Sequence, residues 1–245
     1  MEIRVQGPRG PAEPVAVTMR TPGTDFELAV GFLFTEGVLS DPGDASSVAY
    51  CLDGAGEQQY NVVTVHTRRA PDGERARRAF AVSASCGVCG KATLDEIEVM
   101  CEPALPGPTV AGSVLVGLPD ALRAQQSVFD ATGGLHAAGC FTVDGSLLAL
   151  REDVGRHNAL DKVIGAAAMG GTLPLTDQVL MVSGRVSFEI VQKAAIAGIP
   201  IVCAVSAPTS LAVDAARHLN LTLVGFVRGD HFNIYCGAER IAVAT

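Results

Sequence analysis

Short apolar runs and amphipathic stretches alternate through the second half of the chain. Val179–Val182, Ile201–Val205 and Leu221–Val227 are four- to seven-residue apolar segments that predict buried strands. Ser187–Ala197 and Thr209–Leu219, lying between them, carry the spacing of helices, and Phe232–Cys236 predicts a last strand. Upstream, a helix is expected near Val154–Met169, with Leu160, Val163, Ile164 and Ala167 on one face. Cys140–Val143 and Ser146–Leu150 flank Asp144-Gly145 and predict a hairpin. Pro119–Asp130 reads as a helix closed by Gly133-Gly134. Strands alternating with helices need crossover connections, so the sheet is expected to be mixed but largely parallel.

The first hundred residues are less regular. Thr24-x-x-Glu27 has the form of a capping box, followed by an apolar face of Leu28, Val30, Phe32, Leu33 and Phe34 and a stop at Gly37. Tyr60–Thr67 and Ala79–Ser83 predict strands separated by a charged turn, Arg68–Arg78. Three prolines in Pro103–Pro108 mark a linker. The expected organisation is a smaller α+β domain over residues 1–105 and a larger α/β domain over residues 106–245.

Apolar residues make up 48% of the 245 positions and charged residues 18%, which excludes a mostly disordered chain. The net charge of −8 opposes non-specific nucleic-acid binding, because that requires Lys and Arg to neutralise phosphates. It leaves room for one basic pocket on an acidic surface. Met1 is followed by Glu2-Ile3-Arg4 and no apolar signal region. The apolar stretch Ala194–Val205 is interrupted by Gly198 and Pro200 and is too short to span a bilayer. A cytoplasmic protein without membrane contact is expected.

The predicted topology concentrates candidate ligands at one edge. The loops Ser183-Gly184-Arg185, Ser206-Ala207-Pro208-Thr209 and Arg228-Gly229-Asp230-His231 each follow a strand at its carboxyl end, where open α/β sheets bind ligands. The first two also open helices, whose free N–H groups favour phosphate. Arg151–Asn158 brings charge, imidazole and amide into one segment, with a helix cap at Asp153 and solvated neighbours as the plain alternative. For His136, after Gly133-Gly134, the plain alternative is likewise a satisfied structural histidine. Lys162 and Lys193 fall on helices, where a solvated face is the default.

Seven cysteines is an odd number in a chain too long to need disulfide staples, and it suits a reducing compartment. Cys51, Cys101, Cys140, Cys203 and Cys236 lie singly, mostly in apolar runs, and are expected to be small buried hydrophobes. Cys86 and Cys89 differ: they form C-x-x-C between small residues, with Lys91 and a cap at Thr93-x-x-Glu96 just beyond. A helix start and a lysine both favour thiolate, the nucleophile that accepts sulfane sulfur from a persulfide. A zinc site needs about four ligands, and neither a second C-x-x-C nor a spaced histidine pair is present. A dithiol redox protein remains compatible with the spacing.

Over these stretches the chain resembles FdhD, the formate dehydrogenase accessory sulfurtransferase family. The resemblance rests on Val17–Gly23, Glu27–Phe32, Glu36-Gly37, Ser85–Gly90, Arg151–Lys162, Ser183–Arg185, Val191–Ala195, Ala204–Ser210 and Leu221–Phe226, in the family's order. It implies transfer of persulfide sulfur from a cysteine desulfurase to the bis(molybdopterin guanine dinucleotide) molybdenum cofactor, which formate dehydrogenase requires. Cys86 would then carry the persulfide with Cys89 as partner. The cofactor would lie on Phe226, Val227, Arg228, Gly229, Asp230 and His231, with Arg185, Ser206 and Thr209 adding to the anionic-arm site. A guanine nucleotide would mimic this substrate, and no permanent metal is expected. The resemblance also implies a cytidine-deaminase-like larger domain and a homodimer. Family members usually carry a further segment before the Glu2-Ile3-Arg4-Val5 stretch, and this chain begins almost there. The H-x-E and P-C-x-x-C signature of deaminases is missing, because Ser85 precedes Cys86 and Ala137-Ala138 follow His136. The alternatives are a non-catalytic chaperone for the molybdenum cofactor and a zinc or dithiol redox protein.

Overall fold

The computed structural model describes residues 1–51, 60–84, 103–104 and 107–242. The persulfide candidates Cys86 and Cys89, Cys101 and the Thr93-x-x-Glu96 cap lie outside the described residues.

A six-stranded sheet forms the larger layer. Its strands are β6 (His136–Phe141), β7 (Leu147–Asp153), β8 (Val179–Val182), β9 (Ile201–Ala204), β10 (Thr222–Arg228) and β11 (His231–Cys236), in the spatial order β11-β10-β9-β8-β6-β7. Only the β8–β9 and β9–β10 pairings are parallel, while β6–β7, β6–β8 and β10–β11 are antiparallel. The sheet is therefore mixed rather than largely parallel. The hairpin at each end contributes one antiparallel pair, the return of the chain from β7 through a helix to β8 sets β8 antiparallel to β6, and the two crossovers after β8 supply the parallel pairs.

Both faces of this sheet are covered. Leu180, Val182, Val202, Ala204 and Leu223 share one core with Leu160, Val191 and Ala212, which come from three helices. Those helices are α5 (Arg156–Met169), α6 (Phe188–Ile196) and α7 (Ser210–His218). The alternate residues Val179, Met181, Ile201, Cys203 and Val224 face the opposite way and pack with Leu115, Leu118 and Leu122 of α3 (Gly112–Arg123). Strands buried on both faces read as continuous apolar runs, which is why Val179–Val182 and Ile201–Ala204 carry no polar side chain.

A four-stranded sheet in the order β2-β1-β4-β3 holds β1 (Glu2–Gln6), β2 (Glu13–Val17), β3 (Ala45–Tyr50) and β4 (Val62–Thr67). Its core residues Ile3, Val15, Val63 and Val65 meet Ala29, Val30 and Leu33 of α1 (Asp25–Thr35). α1 also lies against α5 at backbone contact: a Cβ on Gly31 would sit 1.9 Å from the Asp161 carbonyl oxygen, and one on Gly165 1.8 Å from that of Glu27. β5 (Val110–Ala111) pairs with β12 (Ile241–Ala242) beside α3.

Three local expectations are overturned. Ala79–Ser83 lies in helix α2 (Gly73–Ala84), not in a strand. Asp72 Oδ1 accepts from the N–H groups of Glu74 and Arg75, and the buried pair Ala76 and Ala79 has the helical i, i+3 spacing. Pro119 does not open a helix but sits inside α3, whose stripe of Leu115, Leu118 and Leu122 starts before it. A separate short helix α4 (Ser127–Thr132) follows, and Gly133 closes it in the left-handed region. Thr24 stands at the N-cap of α1 but its side chain makes no capping box: the residue is left-handed and its hydroxyl donates to the Gly23 carbonyl, while Glu27 is drawn away to Arg151.

Candidate functional site

The register of the six-stranded sheet decides what stands at its carboxyl edge. β8, β9 and β10 are parallel, so the loops after them share one edge. β6 runs antiparallel to β8 with Ala138 opposite Val182, which brings His136 to the level of Gly184. β7 returns with Asp153 opposite His136, so the start of α5 is delivered to the same edge. From the β10 end to the β7 end there are four strand spacings of about 4.8 Å, a row of roughly 20 Å.

The loops are stitched together along this row. Val186 N donates to the Ala207 carbonyl at 3.2 Å, Thr209 N to the Val186 carbonyl at 2.9 Å, and Phe226 N to the Ser206 carbonyl at 3.2 Å. The Thr209 hydroxyl caps α7 by accepting from Ala212 N at 3.2 Å, and Ser206 is half-buried. Phe226 sits at φ 54° within a register shift of the β10–β11 ladder, a conformation that bulky residues rarely adopt. Its ring lies 5.6 Å from the Arg228 guanidinium carbon. Val227 turns into the core, so its side chain is not at the edge. Arg228, Gly229, Asp230 and His231 form the exposed hairpin tip, where Asp230 is held below the usual carboxylate range chiefly by the His231 ring 3.3 Å away.

At the other end of the row three basic groups converge, and two of them were not singled out in the sequence as ligands. Gly184 is buried against His136 and Arg156: an added Cβ would lie 3.2 Å from His136 Nδ1 and 3.7 Å from Arg156 Cδ. Burial, then the charges of Arg156 and Arg185, hold the His136 pKa down, so the ring is neutral near pH 7 and keeps a lone pair and a proton for a ligand. The His136 ring makes no hydrogen bond among the described residues, which goes against the plain alternative of a satisfied histidine. Arg156 Nε is buried and unpartnered, a costly arrangement that an anion would relieve. Arg185 is exposed beside them.

α5 starts at Gly155, which has no side chain to cap it, and α6 starts at Ser187, whose hydroxyl meets His157 Nε2 at 3.0 Å instead of capping its own helix. Burial first, then Lys193 and Arg156, push the His157 pKa down to about 4. Two helix starts without side-chain caps, two arginines and two neutral imidazoles suit a phosphate-bearing ligand. The described part of this edge contains no thiol or carboxylate arrangement for covalent catalysis. Its exposed and unpartnered basic groups are of the kind that could bind an anion.

Behind the row lies a buried ionic frame. Lys162 meets the Asp153 carboxylate at 2.7 Å and donates to the carbonyls of Thr21 and Glu152. Asn158 donates to the Met19 carbonyl and to Asp153 Oδ1. Lys193 meets Asp161 and Glu36, each at 3.0 Å, and donates to the Thr35 hydroxyl. The expectation of solvated lysines is thus overturned: Lys162 is 1% and Lys193 4% exposed. Arg151 pairs with Glu27, and Glu152 accepts from the N–H groups of Val128 and Phe129 at the start of α4, so these neighbours are not merely solvated either. The frame ties α1 and the 18–25 segment to the start of α5, and so fixes where Arg156 and His157 stand.

The sequence profile of the FdhD/NarQ family matches residues 2–242. This chain belongs to that family. It is 53% identical to the sulfur carrier protein FdhD of Nocardia farcinica, covering 98% of this chain and 85% of that one. It is 51% identical to the protein of the same name from Streptomyces coelicolor, covering 99% and 87%. The same name belongs to the Mycobacterium tuberculosis relative, 51% identical over 98% of this chain and 89% of its own. A crystal structure described as that of a formate dehydrogenase accessory protein from Desulfotalea psychrophila has a TM-score of 0.73, at 22% identity, over 99% of this chain and 89% of that one. At that identity the likeness speaks for the fold alone. Among the described residues no helix is long and apolar enough to cross a membrane, and no group of three or more His, Cys, Asp or Glu side chains is placed to hold a metal ion.

Proposed function

We propose that this chain is a cytoplasmic sulfur carrier for the maturation of formate dehydrogenase. The observation that carries the reading is the family match over residues 2–242, with relatives about half identical that bear the name sulfur carrier protein. Cys86 attacks the outer sulfur of a cysteine desulfurase persulfide, the S–S bond of the donor breaks, and the donor leaves as thiolate. The sulfur is then held as the Cys86 persulfide. Attack by Cys89 on the inner sulfur would release it as sulfide and leave a Cys86–Cys89 disulfide, which a cellular thiol reductant must reopen.

The recipient is the bis(molybdopterin guanine dinucleotide) molybdenum cofactor, bound as substrate and mimicked by a guanine nucleotide. Its anionic arms match the basic row: Arg228 and His231 at one end, Ser206 and Thr209 in the middle, and Arg185 with Arg156 and His136 at the other. The family resemblance adds a homodimer and a cytidine-deaminase-like larger layer to the same reading, and the three prolines of Pro103–Pro108 add a division near residue 105.

The test is intact-mass analysis after incubation with a cysteine desulfurase and cysteine. One added sulfur is expected in the native chain and in Cys89→Ala, and none in Cys86→Ala. An adduct that survives in Cys86→Ala overturns the carrier assignment. A formate dehydrogenase maturation assay left intact by Cys86→Ala would make the protein a chaperone without thiol chemistry.

A further inference from the structure

A second basic surface lies away from the strand-end row. An open cleft of about 520 Å³ is lined by Arg9 from the β1–β2 turn, Arg68 and Arg69 from the loop after β4, and Arg77 from α2; Glu13 is the acid among its lining residues. The cleft sits where Val5 pairs with Glu13, at the opposite end of β1 from Glu2 and Val17. The chain leaves β2 beyond Val17 to reach Asn158 and Asp153 through Met19 and Thr21. With a rise of about 3.3 Å per residue, the length of β1 puts roughly 15 Å between the cleft and that contact. The two basic surfaces are therefore separate sites.

The guanidinium groups of the cleft are only partly used by the fold. Arg68 donates to the Gly43 carbonyl at 2.6 Å, and Arg69 faces Asp44 at 3.4 Å with 72% of its side chain exposed. Arg9 and Arg77 are exposed and have no ion pair among the described residues. In a chain of net charge −8, four arginines on one cleft are a local exception to a repulsive surface. Pro8, Pro11 and Pro71 form parts of the wall, and their fixed φ angles keep the cleft preformed.

The character of the anion follows from what the cleft lacks. A phosphate site usually recruits backbone N–H groups at a helix start. Here the start of α2 is already closed, because Asp72 accepts from Glu74 N and Arg75 N, both at 3.0 Å. The arginines come from three separate segments, a spacing suited to several carboxylates along an extended chain, each able to take a two-pronged guanidinium contact. We propose that this cleft docks an acidic segment of a partner protein.

Fluorescein-labelled hexaglutamate is the probe, read by fluorescence anisotropy at low salt. Saturable binding is expected in the native chain, with at least a tenfold loss in R9E/R77E at unchanged circular dichroism. R185E, altered at the strand-end row, should bind the peptide as well as the native chain does, and equimolar inorganic pyrophosphate should not displace it. The milder R9Q/R77Q pair reads the same contrast if charge reversal lowers the folded fraction. Absent saturable binding, or binding unchanged in both double variants, overturns the proposal. Displacement by pyrophosphate would make this a phosphate site, and loss in R185E would move the peptide to the strand-end row. Sulfur loading plays no part in this readout, so its outcome is independent of the carrier assignment.

Discussion

Arg156 is the residue at which stability and binding pull in opposite directions. A buried donor left without a partner costs about 1–3 kcal/mol, and the Nε of Arg156 is such a donor. Arg156→Met keeps an apolar stem and removes the orphan nitrogen. The free protein should therefore be at least as stable as the native one in urea titration. Its affinity for a guanine nucleotide should fall roughly 10- to 100-fold, the loss of a charge-assisted contact worth about 1.5–3 kcal/mol. A destabilised variant with unchanged nucleotide affinity would make Arg156 a structural residue. His157 gives a pH signature nearby. Its pKa falls from 6.5 in the free side chain to about 4 in the fold, chiefly through burial. Between those values the unfolded chain binds a proton that the folded chain refuses, so this contribution is full above about pH 6.5 and is lost as pH falls towards 4. About a third of the ring is exposed, so the expected effect is about 1–2 kcal/mol. Asp161, pushed up to about 6 by burial, acts in the opposite sense over part of that window. The clean measurement is therefore the difference in urea stability between native and His157→Gln from pH 7.5 down to 4.5. A difference that does not change with pH would contradict the burial argument.

At the scale of elements, the α1–α5 contact carries the position of the site. Backbones meet there because Gly31 and Gly165 have no Cβ, and the obstructing atoms are main-chain carbonyls that cannot rotate aside. Gly165→Ala should cost about 3 kcal/mol, at the upper end of what overpacking normally does, and should loosen nucleotide binding through displacement of the α5 start. Gly117, exposed on α3 with nothing within 4 Å of an added Cβ, is the control. Gly117→Ala should stabilise by up to about 1 kcal/mol in the same thermal melts. Equal effects of the two substitutions would refute the close-contact account. This contact was not legible in the sequence, where Gly31 and Gly165 are ordinary interior helix glycines. The alternating strands and helices after residue 179 were legible, because doubly buried strands leave unbroken apolar runs. The helix α2 was misread because Ala79-Phe80-Ala81-Val82 resembles a strand when taken alone, whereas the charged stretch before it holds the helix formers and the cap at Asp72. The strand-end loops after β8, β9 and β10 could be found from pattern alone. His136 and Arg156 could not, since a predicted hairpin does not say which strand it will pair with. Lys162 and Lys193 looked solvated because Asp153 and Asp161 lie on other elements, and the further partners Thr21 and Glu36 lie more than a hundred positions away.

Across the whole molecule, the fold sorts the cysteines, and that sorting bears on where sulfur can reside. Cys140 and Cys203 are buried in the doubly covered sheet, and burial pushes both thiols up to about 12. At neutral pH they are neither thiolates nor reachable, so they can neither attack a donor persulfide nor hold one. Cys236 is half-buried, shifted upward by burial and engaged with the Leu221 carbonyl, while Cys51 is half-buried on the smaller layer. A carrier needs a thiolate in contact with two different proteins in turn, a requirement that Cys140 and Cys203 do not meet and that is in keeping with the role proposed for the C-x-x-C pair. Brief labelling with iodoacetamide near pH 7.5, followed by peptide mass mapping, should therefore modify Cys86 and Cys89 first. Cys140 and Cys203 should stay unmodified until guanidinium is added. Loading with a desulfurase before labelling should place the extra sulfur on the Cys86 peptide and leave the Cys140 and Cys203 peptides unchanged. Rapid native labelling of Cys203 would mean that the sheet opens readily to solvent, and sulfur found there would contradict the carrier role proposed for Cys86.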